Sequence, residues 1–469
     1  MLTLGHFLKT LTAYEPTGTE PKLSTVVMDS REVVAGGLFV AYAGERVDGH
    51  DYVADAFADG AVAALVERPF PDLTTIDLRN PAPVIPNTIN TPVCLLVDDA
   101  VTALQEAAKA WFAQFTLPVI GITGSVGKTS TKELTHAVLS TRYRTFKSEG
   151  NRNSILGLPL TIFGLRSFHQ VAVLEMAMYT RGEIKRLAQL FPPKIGVVTL
   201  IGAVHMERAG SMEAIVAAKQ ELVEALPADG TAILNKDDSR VMGMAAHTNA
   251  QIFTYGLDKT ADLWADNIRS QGFDGVRFTL HHQDESLNLQ VPLLGRHSVH
   301  TSLRAAAVGL VVGLRWEEIV RGLRQNQAQL RLVTVPGPKQ SIIIDDTYNA
   351  NPESTMAALN LLADMPGRRV AVLGDMLELG HVEEASHRRI GRRAADVAHT
   401  IVAVGKRAQW IAEEALAIGL PKDRVFMVDD AQTAVPLLTD LIQAKDVILI
   451  KGSYGMHMDQ IINEIGRYN

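Results

Sequence analysis

The stretch Pro118-Val119-Ile120-Gly121-Ile122-Thr123-Gly124-Ser125-Val126-Gly127-Lys128-Thr129-Ser130 carries the strongest structural signal in the chain. Its apolar run reads as a buried strand, and the glycines that follow permit a turn no bulkier residue would make. In such a turn backbone N–H groups converge on an anion. A helix starting at Lys128 or Thr129 adds the positive end of its dipole. Strand, glycine turn and helix together predict a phosphate loop for ATP. Lys128 would reach the β- and γ-phosphates, and the Thr129 hydroxyl would ligate Mg²⁺. The spacing is off the common pattern, which wants glycine at 122 where isoleucine stands; glycines fall instead at 121, 124 and 127.

Outward from this loop the chain divides into three textures, and its 469 residues suit roughly three domains. Residues 1–100 hold short apolar runs at 38–41, 61–66 and 93–97, read as a small α/β unit. Residues 101–328 open with a helical stretch from Ala100 and contain the phosphate loop. Strands are expected at 171–175, 194–200 and 231–234, and an amphipathic helix at 212–226. Period-two segments over 263–292 predict an antiparallel insert, and a helix over 298–313 closes this part. Residues 329–469 restart the alternation, with strands at 341–345, 369–373, 400–404 and 447–450. That pattern predicts a second, Rossmann-like sheet.

Composition narrows the function. Hydrophobic residues make up 47% and charged residues 21%, the balance of an ordinary globular protein. No run of about 18 apolar residues occurs, and the N-terminus lacks the basic-then-apolar order of a secretory signal, so a cytoplasmic protein with no membrane partner is expected. A net charge of −7 speaks against nucleic acid. The single cysteine, Cys94, lies in an apolar run and reads as a buried thiol.

Further residues extend the pattern. Glu175, His205, Lys219, Asn235-Lys236-Asp237-Asp238, Gly295-Arg296-His297, Arg331 and Asp345-Asp346 follow the phosphate loop in order. With the off-pattern Gly121…Gly124…Gly127-Lys128-Thr129-Ser130 they resemble the Mur ligases over essentially the whole chain. Three segments are similar to the branch that adds D-alanyl-D-alanine to UDP-N-acetylmuramoyl-tripeptide: residues 346–354 (Asp-Thr-Tyr-Asn-Ala-Asn-Pro-Glu-Ser), residues 372–380, and Lys451-Gly452-Ser453. Asp29-Ser30-Arg31 and the glycine-rich residues 36–51 resemble that branch's nucleotide-sugar domain.

The resemblance implies an amide ligase of peptidoglycan precursor synthesis. ATP activates a carboxylate as an acyl phosphate, and an incoming amine displaces the phosphate. Gly124, Gly127, Lys128, Thr129, Ser130, Asn235, His297, Arg331 and Asp345 would hold the nucleotide. Thr129, Glu175, His205 and Lys219 would serve magnesium, Lys219 as a carbamate, with Lys128, Lys219 and His205 the catalytic groups. Ser30 and Arg31 would bind the uridine diphosphate, and Asp346, Asn349, Asn351 and Pro352 the dipeptide. Without the resemblance, Lys219 would read as a solvated helix lysine, His205 as an ordinary polar residue and Asn351-Pro352-Glu353 as a helix start. Small-molecule substrates and a monomer are expected.

Several positions depart from the family. Ser298 and Ser302 stand where it usually has two asparagines near adenine, and Tyr454 stands where arginine is usual. Loops 150–154 and 175–182 also diverge. These departures leave open a paralogous ligase adding another amino acid or peptide. A nucleotide-binding scaffold without turnover and an NTPase motor are the other classes.

Overall fold

The computed structural model describes residues 1–469 except 45–46, 81–82, 87, 205, 326–332 and 467–469. His205 and Arg331 therefore lie outside the described residues.

Three α/β units follow one another along the chain, each built on its own sheet. The first sheet orders Val26–Val27, Leu38–Val40, Ala63–Val66, Val93–Leu96 and Thr75–Asp77, every pair parallel. Parallel strands must be covered on both faces, which accounts for the uninterrupted burial of Ala63–Val66 and Val93–Leu96. Cys94 is fully enclosed there, and burial pushes its thiol up to about 11.

The central sheet has nine strands. Gln251–Gly256, Thr231–Asn235, Ile195–Val198, Val119–Thr123, Val171–Glu175 and Thr145–Lys147 run parallel in that spatial order. Leu263–Ser270 continues it, and Val276–His282 and Glu285–Val291 complete an antiparallel edge. The predicted insert is thus an extension of the same sheet. The helix Ser298–Val312 does not close the unit as expected, because Trp316–Arg324 follows and packs beside it on Lys128–Leu139.

The third sheet orders Val333–Pro336, Ile342–Asp346, Val447–Lys451, Arg369–Gly374, Thr400–Val404 and Val425–Val428. All pairs are parallel except the first, an antiparallel edge strand. Observed strands start or stop within a few residues of expectation, and Val425–Val428 and Val333–Pro336 are additions.

The seam at residue 100 is not a loose linker. Helix Ala100–Phe112 begins with Asp99 accepting from Thr102 N–H, and it packs on both Leu4–Leu11 and Gly157–Ile162. Its Leu104, Ala107, Ala108 and Trp111 join Phe7 and Leu38 of the first unit to Leu158 and Phe163 of the second in one apolar cluster. Burial of that helix therefore couples the two sheets.

Candidate active site

The phosphate loop has the backbone its glycines predict. Gly124 and Gly127 take φ of +139° and +83°, and Lys128 is the first residue of the helix Lys128–Leu139. A Cβ on Gly124 would stand 1.9 Å from Thr199 Oγ1, so the loop can lie this close to the end of the neighbouring strand only without a side chain. Thr199 Oγ1 donates to Val126 O at 2.7 Å, and Ser125 Oγ bonds Gly202 at 3.0 Å. Lys128 Nζ curls back to Gly124 O at 2.9 Å. The loop is held in shape by the protein's own contacts.

Two oxygens beside the loop are buried and make no hydrogen bond: Thr129 Oγ1 and Glu175 Oε2. Glu175 is the last residue of its strand, yet it is fully enclosed and not turned to solvent. Its other oxygen accepts from Asn153 Nδ2 at 2.7 Å, and buried Lys132 lies 4.0 Å from Oε2. Leaving a buried acceptor unpaired costs about 1–3 kcal/mol, so such oxygens mark a place for something absent from the chain itself. The pair is an oxygen-only donor set, the chemistry a hard divalent cation takes. Among the described residues no three His, Cys, Asp or Glu side chains converge as a metal cluster.

Lys219 is 2% exposed, on the inner side of the helix Met212–Glu224. Burial, with the Lys128 charge adding to it, pushes its ammonium well below the usual lysine range. The solvated helix lysine that periodicity alone suggests is thus excluded.

A cavity of about 920 Å³ gathers the remaining features. Residues 125–130 line one wall, with Asn153, Glu175, Asn235 and His297. Asp346, Asn349, Asn351 and Glu353 line the other, with Lys451 and Tyr454. Segments far apart in sequence, from the second and third sheets, therefore face one space. Lys451, 1% exposed, fixes the far wall by donating to Asp346 Oδ2 at 2.7 Å and Asn349 O at 2.8 Å. Asn351 Oδ1 accepts from Ser354 N–H at 2.9 Å, and Pro352 opens the helix Pro352–Ala363, so this stretch is also a helix cap. Glu353 reaches across to Gly202, and its Oε2 is a third buried oxygen without a partner. His297 opens onto this cavity, and desolvation among its neighbours, with the Arg304 charge adding to it, holds its imidazole down to about 4, so it is neutral at pH 7.

Other expected residues stand elsewhere or are already engaged. Asn235 lines the cavity but braces it, donating to Thr199 O at 3.0 Å. Asp345 Oδ1 accepts from Thr347 N–H and hydroxyl, and its side chain is not on the cavity wall. Ser30 opens a short 3₁₀ turn capped by Asp29. Arg31 places its fork on that same carboxylate, Nε to Oδ1 at 2.9 Å and Nη2 to Oδ2 at 2.6 Å, so those donors are not open for a phosphate in this structure. The turn lies close to the cavity rim all the same, because Glu32 pairs with Arg152 of the 150–154 loop at 2.7 Å. Of the two serines expected near adenine, Ser298 lines the cavity with Thr301, whereas Ser302 does not and its hydroxyl bonds Ser298 O inside the helix. Sequence reasoning missed Arg304, a buried cation on that wall whose one signal was an arginine inside an otherwise apolar helical run.

Comparison with known proteins agrees with this arrangement. Residues 22–110 match the Mur ligase family catalytic domain, 122–309 the Mur ligase middle domain and 330–454 the Mur ligase glutamate ligase domain. The UDP-N-acetylmuramoyl-tripeptide–D-alanyl-D-alanine ligase of Bacillus subtilis (strain 168) is 35% identical over 458 residues, covering 97% of this chain and 95% of that protein. A crystal structure of MurF from Acinetobacter baumannii superimposes with a TM-score of 0.83 at 31% identity, covering 98% of both chains. MurF from Thermotoga maritima, solved in complex with ADP, gives 0.76 at 25% identity, over 94% of this chain and 96% of that one. With its phosphate loop, its three α/β units in order and these relatives along its whole length, the chain belongs to the Mur ligase family.

Proposed function

We propose that this protein is an ATP-dependent ligase that joins D-alanyl-D-alanine to UDP-N-acetylmuramoyl-tripeptide in peptidoglycan precursor synthesis. One observation carries the reading: the phosphate loop and the 346–354 segment face the same cavity. A kinase-like activation and an amine acceptor can therefore share one space.

The chemistry runs in two balanced steps. An oxygen of the tripeptide's terminal carboxylate attacks the γ-phosphorus of ATP, the bond to the β-phosphate oxygen breaks, and ADP leaves. The dipeptide amine then attacks the carbonyl carbon of the acyl phosphate, phosphate departs, and the amine's proton is lost. Phosphoryl transfer of this kind depends on positioning and charge neutralisation. In this reading the N–H groups of Gly124, Gly127 and Ser130 cradle phosphate oxygens and Lys128 neutralises them. Asn235 and His297 border the nucleotide, and Asp345 and Arg331 would approach it from the third unit.

The unpaired Thr129 Oγ1 and Glu175 Oε2 suit Mg²⁺, and Lys219 and His205 would complete its surroundings. Bound there, the cation would offset charge on the transferring phosphoryl group. The depressed pKa of Lys219 supports its carbamate: a neutral amine can attack CO₂, lose a proton and become an anion beside Lys128. Asp346, Asn349, Asn351 and Pro352 would receive the dipeptide. Ser30 and Arg31 would receive the uridine diphosphate once Arg31 leaves Asp29. The units 1–100, 101–328 and 329–469 would then serve the nucleotide sugar, ATP and the dipeptide respectively. A monomeric cytoplasmic enzyme using small-molecule substrates, with neither membrane nor nucleic acid as partner, is the setting this reading proposes; no helix among the described residues is long and apolar enough to cross a membrane.

Phosphate release from ATP with UDP-N-acetylmuramoyl-tripeptide tests the reading, with D-alanyl-D-alanine, single amino acids or no amine supplied. Release that requires the dipeptide is expected. Release with a single amino acid alone would favour the paralogous ligase, and no amine-dependent release would sink both.

A further inference from the structure

The helix Ser298–Val312 is apolar through its buried middle except at one position. In Leu303-Arg304-Ala305-Ala306-Ala307-Val308 every neighbour of Arg304 is enclosed, and Arg304 itself is 3% exposed. Its partners are neutral hydroxyls: Nε donates to Thr131 Oγ1 at 2.8 Å, Nη2 donates to Thr301 Oγ1 at 2.9 Å, and the Tyr255 phenol also receives a hydrogen bond from it. The guanidinium carbon stands over the Tyr255 ring, 5.8 Å from its centroid. Among the described residues no carboxylate forms an ion pair with it.

A buried cation without an anion is costly, and the neutral hydroxyls around it leave part of its five-donor fork unassigned and its charge unmatched. A fold keeps such a group where an anion arrives from outside. Its position says which one. Nη2 lies 3.0 Å from where a Cβ of Gly127 would be, against the last turn of the phosphate loop. Arg304 lines the central cavity together with Lys128 and Thr129. Thr131, which receives its Nε, donates in turn to Gly127 O at 2.6 Å, so the guanidinium is registered to the loop through one hydroxyl.

We propose that Arg304 is a second phosphate-binding cation of the nucleotide site, donating to phosphate oxygens of ATP from the helix that faces Lys128. The proposal rests on the ATP reading above and adds a residue to it. It also gives a role to a helix whose small hydroxyls are otherwise occupied. Ser298 Oγ donates to Leu294 O at 2.6 Å and Ser302 Oγ to Ser298 O at 3.0 Å, so the helix offers the nucleotide a charge where its serines offer nothing.

The test is calorimetric titration of the full chain with ADP and with adenosine, beside thermal melts with and without ADP. Arg304→Met should weaken ADP binding by about tenfold to a hundredfold and leave adenosine binding within about threefold. Its melting midpoint without ligand should equal or exceed that of the parent, because a desolvated charge has been removed, while the ADP-induced rise shrinks. Thr131→Val, which removes the hydroxyl bridge but keeps the charge, should cost ADP affinity less than Arg304→Met does. If Arg304→Met does not fold, Arg304→Gln keeps donors for the threonines without the charge and should show the same loss. ADP binding equal to the parent in either variant overturns the proposal, as does Thr131→Val reproducing the whole loss. A parent chain that binds no ADP overturns the nucleotide reading itself, and Arg304's part in it.

Discussion

Replacing Gly124 by alanine puts the phosphate loop's geometry to a quantitative test. At φ +139° an L-residue is strained by about 1–3 kcal/mol. The new methyl group would sit 1.9 Å from Thr199 Oγ1, 3.0 Å from Thr199 Cβ and 3.1 Å from Thr199 N. Rotating the hydroxyl away breaks its 2.7 Å bond to Val126 O, worth about 1 kcal/mol, and the backbone nitrogen cannot rotate at all. With overpacking of about 1–3 kcal/mol, the total is about 3–7 kcal/mol, borne by the loop. At 1.4 kcal/mol per decade, ADP affinity should fall by about 10² to 10⁵, with little change in melting of the other two units. Titration of ADP into Gly124→Ala, Thr199→Ala and the double variant apportions the cost. Thr199→Ala removes the 1.9 Å contact but not the backbone strain, so the double variant should bind ADP better than Gly124→Ala alone, by about 1–3 kcal/mol of coupling. Near-parental ADP binding by Gly124→Ala would refute this account of the loop, and so would a coupling of zero.

Lys219→Met should lower amine-dependent phosphate release by about a thousandfold, with a melting midpoint no lower than the parent's, because a desolvated amine is replaced by an apolar group of similar length. In Lys219→Ala, acetate should restore part of the rate by supplying the missing carboxylate; a rate close to the parent's would exclude the carbamate role. Asn351→Ala removes a helix cap, at about 1 kcal/mol, and should raise the KM for the dipeptide while leaving that for ATP unchanged. Equal shifts in both constants would detach Asn351 from the amine pocket. Acid should weaken the fold through His297. Its folded pKa of about 4 lies below the unfolded value of 6.5, so the unfolded chain takes up a proton that the native state refuses. Stability should therefore be lost as pH falls from about 6.5 towards 4, with half-buried His6 and His136 and buried His387 acting in the same direction. Denaturant titrations at pH 7 and 4.5 should show a smaller drop for His297→Gln than for the parent, and equal drops would count against the lowered imidazole pKa.

Local chemistry made much of this molecule legible before any coordinates. The glycines at 124 and 127, with the Lys-Thr that follows, permit the loop's left-handed turns, so strand, turn and helix appear where expected. The alternating apolar runs likewise gave the parallel sheets, since a strand buried on both faces must be apolar throughout. The short edge strands Val333–Pro336 and Val425–Val428 were missed because their residues are largely exposed or half-buried and leave little period to read.

The tertiary structure decided the state of each side chain, because burial and pairing depend on what other segments bring. Lys219 looks like any helix lysine until the fold encloses it beside Lys128, and Glu175 like any strand end until it is sealed with one oxygen unpaired. Arg31 looks ready for a phosphate until Asp29 is seen holding its fork. Arg304 has no local signature beyond its charge, and only packing against Gly127 gives that charge a purpose. For the phosphate loop the sequence alone determined that a strand, a glycine turn and a helix follow one another, because glycine permits the backbone angles the turn needs. What braces that turn and which groups stand around it were decided by contacts between residues far apart in the chain, 173 positions for Arg304 and Thr131, which no short stretch of sequence can encode.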